Sequence, residues 1–284
     1  MRWESEDRSS NVEDRRGLTL GRGAVGGGAV LLAVVAALLG APAGTVRDIL
    51  SGGRSEAPGS QQAQGPRDPA EERQLDFVKV VLRSTETTWT ALFKARNERY
   101  ELPKLVVFSG AVESACGQAS AAVGPFYCPP DHQVYLDLEF FAELDRRFGA
   151  PGDFARAYVV AHEVGHHVQN LMGIFDQVQA RRGRASEAEA NRLSVRTELQ
   201  ADCLAGVWAY HANRTRHILE PGDAEEGLHA ASAIGDDTLQ RRARGRVSPE
   251  SFTHGTSAQR VKWFQAGMRS GKIEECDTFA ANTL

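Results

Sequence analysis

From Gly23 to Val46 the chain runs for 24 residues without a charged side chain, and this run divides the rest of the sequence into two unequal parts. Its densest stretch, Ala29 to Leu39 (AVLLAVVAALL), is long enough with its flanks to cross a bilayer whose hydrocarbon core takes about 20 helical residues. The sequence therefore predicts one transmembrane helix over 23–46, acting as a signal anchor. Arg8, Arg15, Arg16 and Arg22 precede it while Arg47 and Arg54 follow, a bias that keeps the N-terminus inside. Residues 1–22 are then expected as a cytoplasmic segment. The remainder is expected outside the cytoplasm, held to the cell membrane by a single pass. Ala41-Pro42-Ala43 also reads as a small-residue cleavage site, and cutting there would release a secreted form instead.

Residues 47–70 are expected as a flexible linker, because 51–70 draws sixteen of its twenty positions from Gly, Pro, Ser, Gln and Ala. The folded domain is expected over 71–284. Leu75, Val78, Leu82, Trp89, Leu92 and Phe93 share one helical face, so a long amphipathic helix opens it. The segments 104–108 (KLVVF) and 133–138 (QVYLDL) read as strands. Helical patterns follow at roughly 138–148, 153–171, 187–214, 222–243 and 256–269. The expected class is α+β, mainly helical with a small β-sheet. A net charge of −4 gives no general attraction for nucleic acid, which is excluded as a main partner.

The chemistry lies in the second of those five helices, where His162-Glu163-Val164-Gly165-His166 forms an HExxH pattern. Two histidines at i and i+4 share a helical face, close enough for both imidazoles to reach one tetrahedral zinc. Glu163 is turned about 100° from His162, where it can flank an open coordination position and serve as general base. A third ligand must come from elsewhere. The metzincin continuation fails, since Gln169 stands in place of its glycine and Met172 in place of its third histidine. Glu187 and Glu189 lie at plausible distances, but only Glu198 has a carboxylate one turn on, Asp202. Glu198 can then ligate the metal while Asp202 accepts a hydrogen bond from the far nitrogen of His162.

HEVGHHVQNLMG and ELQADCLAGVW, with the opening MRWESEDRSSNVEDRRG and the stretch GPFYCPPDHQVYLDLEFF, resemble the bacterial membrane-anchored neutral zinc metallopeptidases of the YpfJ type. The resemblance covers nearly all of the chain except the linker. It implies a zincin-like fold of the gluzincin sort, one zinc on His162, His166 and Glu198, and Glu163 as catalytic base; it implies no particular substrate. His254 and Arg260 are spaced as in the HPxxxxR element of the CAAX prenyl peptidases, although Gly255 replaces the proline. His254 is the expected oxyanion donor and Arg260 a residue that organises the site. His167 is turned off the ligand face and is expected to pack rather than ligate.

Cys116 and Cys128 bracket an eleven-residue loop, and we pair them; Cys203 then pairs with Cys276 and clamps the C-terminal tail to the helix of Glu198. The function these features predict is a membrane-tethered zinc peptidase acting on protein or peptide substrates. The alternative is a zinc-containing, proteolytically silent binding protein of the envelope, against which the intact Glu163 argues. An intramembrane protease is excluded, because one apolar segment cannot enclose a site within the bilayer.

Overall fold

The computed structural model describes residues 1–17 and 68–284. The expected transmembrane span 23–46 and the linker as far as residue 67 lie outside the described residues. Among the described residues no helix is long and apolar enough to cross a membrane.

The first ordered element is a strand, β1 (Val12–Asp14), followed after the undescribed segment by the long helix α1 (Pro69–Ala95). Asp68 caps α1 by accepting from the Ala70 amide at 2.9 Å, with Pro69 at the first turn, so the helix begins inside what the sequence reading assigned to the linker. Its apolar face, including Leu75, Val78, Leu82, Trp89 and Phe93, is buried. Strands β2 (Lys104–Phe108), β3 (Ala111–Ser114), β4 (Gly117–Ser120), β5 (Phe126–Cys128) and β6 (Gln133–Asp137) come next. Strands β1, β2, β6 and β5 form one sheet in that order, with β1 and β6 parallel to β2 and β5 antiparallel to β6. Strands β3 and β4 form a separate hairpin. Alternation along β2 serves two cores: Leu105 and Val107 join the main helical core, while Val106 and Phe108 pack with Val112, Ala119 and Tyr135 on the hairpin side.

Six helices follow, α2 (Glu139–Arg146), α3 (Asp153–Leu171), α4 (Ile174–Arg182), α5 (Glu187–Arg216), α6 (Asp223–Ala233) and α7 (Asp236–Arg244), and α8 (Ser257–Ser270) closes the bundle after a loop. The mainly helical architecture with small sheets is the α+β zincin-like class that the sequence implied. The single helix expected over 222–243 is instead two, broken at Ile234 and Gly235. A Cβ on Gly235 would lie 2.4 Å from the Ser257 amide nitrogen, so the break admits the start of α8. Helix α8 also meets α5 at unusually close range. A Cβ on Gly267 would fall 1.9 Å from the Cys203 carbonyl oxygen, and one on Gly206 would fall 2.2 Å from that of Phe264. Only paired glycines allow this approach, and it brings Arg260 onto α5.

Residues 1–17, which the sequence places in a segment 1–22 apart from the domain, pack against the domain. Val12, Glu13 and Asp14 pair with Leu105, Val106 and Val107 in parallel register. Trp3, 3 % exposed, packs edge-on against Phe77 at 5.2 Å and donates its indole N–H to Asp153 at 3.0 Å. The Ser9 hydroxyl and the Asn11 amide each donate to buried Glu86 of α1 at 2.7 Å.

Candidate metal centre

Helix α3 carries HExxH where both faces are covered, and His162, Glu163 and His166 are all buried. Gly165 makes the meeting with α5 possible. A Cβ there would lie 2.9 Å from the Ala201 carbonyl oxygen, so a side chain would push the two helices apart at the level of the site. The close approach brings Glu198 to both histidines: its Oε2 lies 3.2 Å from His162 Nε2 and its Oε1 lies 3.5 Å from His166 Nε2. One ligand atom from each of the three residues falls within 4.8 Å of the others.

Each imidazole is oriented from behind. His162 Nδ1 donates to Asp202 Oδ1 at 2.9 Å. Asp202 is itself fully buried and held by Arg260, whose Nε donates to Oδ2 at 2.8 Å and whose Nη2 donates to Oδ1 at 2.9 Å. Tyr158, one turn before His162, donates its hydroxyl to Asp202 at 2.5 Å and accepts from Arg260 at 3.2 Å. His166 Nδ1 donates to Gln169 Oε1 at 2.8 Å, while the Gln169 amide donates to the Thr197 carbonyl at 2.7 Å and to Gln200 at 3.0 Å. These bonds fix both tautomers with Nε2 turned to Glu198. Two imidazoles and a carboxylate with oriented far nitrogens fit a zinc site that leaves one position open.

The electrostatics follow from burial opposed by neighbours. Burial pulls His162 down, but Asp202 and then Glu198 outweigh it and raise the imidazole to about 10. Burial would raise Glu198 and Asp202, yet both are held low, Glu198 chiefly by His166 and His162 and Asp202 chiefly by Arg260 and His162. Glu163 is raised, by burial first and further by the charge of Glu198, against the pull of the two histidines.

His254 sits on the loop before α8, which packs on α5 beside the ligand: a Cβ on Gly255 would touch Leu199 and Val195 at 3.2 Å, residues flanking Glu198. The loop is anchored by Asp236 at the start of α7. Its Oδ2 accepts the backbone N–H groups of Thr253, His254 and Gly255 at 2.8, 2.7 and 3.0 Å, and its Oδ1 lies 3.2 Å from His254 Nδ1. His254 and Glu198 sense each other's charge. His167 stays away from the ligands, bonding the Tyr127 hydroxyl at 3.1 Å and the Glu101 carbonyl at 2.7 Å, and its burial lowers it to about 4. Cys116 is bonded to Cys128 and Cys203 to Cys276, and Gln200 donates to the Cys276 carbonyl at 3.0 Å beside the second bridge.

The structure thus gathers His162, Glu163, His166, Glu198, Asp202 and Arg260 in one cluster, with His254 on an adjoining loop. Sequence reasoning missed Tyr158, Gln169 and Asp236. Gln169 carried a signal, since it lies three residues after His166 on the same helical face. Asp236 carried none, because its contact with His254 depends on the break between α6 and α7.

Comparison with known proteins identifies the family. A family model described as "Putative neutral zinc metallopeptidase" matches residues 1–279. The uncharacterized protein YpfJ of Escherichia coli (strain K12) is 47% identical over 290 residues, covering 98% of this chain and 99% of that protein. The uncharacterized protein Rv2575 of Mycobacterium tuberculosis (strain ATCC 25618 / H37Rv) is 45% identical over 218 residues, 73% of each chain. No solved structure matches. With a family model spanning nearly its whole length and a full-length relative at 47% identity, the chain belongs to the neutral zinc metallopeptidase family.

Proposed function

We propose that this chain hydrolyses peptide bonds in protein or peptide substrates, with one zinc on His162, His166 and Glu198 and with Glu163 as general base. The observation that carries the reading is the convergence of both Nε2 atoms on one half-buried carboxylate, 3.2 and 3.5 Å away, with Glu163 buried beside them. A bound zinc would supply the electrophile, lowering the pKa of water at its open position and polarising the scissile carbonyl.

The protein's own groups do the rest. Glu163, its affinity for a proton raised by burial, takes one from the attacking water and returns it to the leaving amine as the C–N bond breaks. His254, with Nδ1 facing Asp236, keeps Nε2 for donation to the oxyanion that forms during attack. Asp202, Arg260 and Tyr158 hold His162 in place, and Gln169 holds His166, so neither ligand needs to reorganise during turnover. The two disulfides support an oxidising compartment for the domain, and hence an extracytoplasmic location, with the uncharged run 23–46 engaging the membrane.

The test is casein hydrolysis by the full chain, wild type beside Glu163→Gln, with zinc content measured on both. The reading predicts equal zinc and cleavage by the wild type only. Equal zinc with cleavage by neither would favour a silent envelope binding protein, and cleavage by both would remove Glu163 from the mechanism.

A further inference from the structure

We infer that residues 1–17 and the zinc domain occupy the same side of the membrane. The inference is independent of peptidase activity. It rests on how the N-terminal arm is held against the domain.

The arm is built into the domain at every level. The Leu105 amide donates to the Asn11 carbonyl at 2.9 Å and the Arg15 amide to the Val107 carbonyl at 2.7 Å, which extends the ladder that β1 forms with β2. Trp3 fills a place in the main core against Phe77. Glu86, 1 % exposed, takes its arm contacts from Ser9 and Asn11, so undocking the arm would strip a buried carboxylate of two donors. Arg8 is paired with Asp76 of α1 at 2.6 Å.

The two ends of the intervening segment are also drawn together. Arg16, with its side chain almost wholly buried, reaches Glu71 at 3.3 Å and Glu72 at 2.7 Å in the first turn of α1. The chain leaves the domain surface just after Arg16 and rejoins it just before Glu71. A hydrocarbon layer of about 30 Å cannot stand between groups in hydrogen-bond contact, so the arm and the first turn of α1 lie on one side of it. The signal-anchor arrangement, with an arm inside and a domain outside, is incompatible with the folded domain.

The experiment is cysteine labelling of the full chain in cells. Ser5→Cys places a thiol on an exposed part of the arm and Leu102→Cys places one on an exposed part of the domain, while all four native cysteines are in disulfides. Each variant is treated with a membrane-impermeant maleimide in spheroplasts before and after permeabilisation, beside the unsubstituted chain. The inference predicts equal labelling at the two sites. Both reactive before permeabilisation places arm and domain outside together, and both protected until permeabilisation places them inside together; either supports a shared side. Labelling of the Leu102→Cys variant before permeabilisation, with the Ser5→Cys variant protected until afterwards, would overturn it. As a check that the arm is docked in the membrane-attached protein, Val12→Pro, which removes a donor and distorts β1, should raise the protease sensitivity of the domain. Unchanged sensitivity would equally contradict the inference.

Discussion

The metal cluster and the N-terminal arm are both tied to the domain by buried polar contacts, but they differ in how the contacting residues are grouped in sequence. In the cluster, His162, Glu163 and His166 lie within five residues of α3, and Glu198 and Asp202 within five residues of α5, so helical geometry aligns each set and the close approach at Gly165 joins the two. The arm gains its place from partners far along the chain: Trp3 from Phe77 and Asp153, Val12 from Leu105, Ser9 from Glu86. The lesson is that the candidate site is assembled from two short helical sets, each aligned by its own spacing, while the completeness of the domain depends on single residues scattered along the arm. Substitutions in the cluster should therefore remove chemistry and leave stability, and those in the arm should do the reverse.

The largest separation is expected at Glu163. Glu163→Gln keeps size and burial while removing the base, so activity on casein should fall about 10²- to 10⁴-fold with zinc content and Tm unchanged. In the opposite sense, Trp3→Ala should lower the unfolding free energy of the full chain by about 3 kcal/mol in a denaturant titration, with zinc per chain unchanged. A fragment beginning at residue 71 lacks β1 and Trp3 and should share that loss. Between these lies Gln169→Ala, which frees His166 Nδ1 and should weaken zinc binding about 10- to 100-fold in a chelator competition.

A smaller effect is expected at Asp236. Burial lowers His254, and the Asp236 hydrogen bond, with Glu198, outweighs it and raises the imidazole. A donor of this kind is charged below its raised pKa and lost as pH rises through it. Asp236→Asn should move the alkaline limb of the pH-rate profile to lower pH and reduce kcat by about tenfold, with zinc retained. An unmoved limb would remove His254 from the chemistry. The smallest effect belongs to the arm. Glu13 is lowered to about 2, chiefly by hydrogen bonds from Arg15 and then Lys104. Its contribution is present above its ordinary pKa of 4.5 and is lost as pH falls from there through about 2. The Tm difference between wild type and Glu13→Gln should be small at pH 7, because the group is partly exposed, and should shrink toward zero at the acid end.

How much could be read in advance follows from the same contrast. The HExxH helix, the Glu198 and Asp202 pair and both cysteine pairs were legible, since each rests on helical spacing or on a short list of partners. Helix α4 and strand β1 were not. Strand β1 is three half-buried residues, Val-Glu-Asp, with no apolar alternation, and it exists because β2 presents an edge. The break at Gly235 was invisible because its cause, the Ser257 amide, lies on another helix. With it went Asp236, whose position at the start of α7 makes it the anchor of the His254 loop. In the sequence Gln169 stands out as the residue in place of a metzincin glycine, while its spacing from His166 gives it a role of its own.

The central claim is that His162, His166 and Glu198 hold zinc with one position open, and X-ray absorption at the zinc edge of the full chain tests it most directly. The account predicts about one zinc per chain with two imidazole nitrogens and oxygen in the first shell, no sulfur, and loss of bound zinc in Glu198→Ala. Sulfur scattering, or zinc retained with the same spectrum in Glu198→Ala, would contradict it.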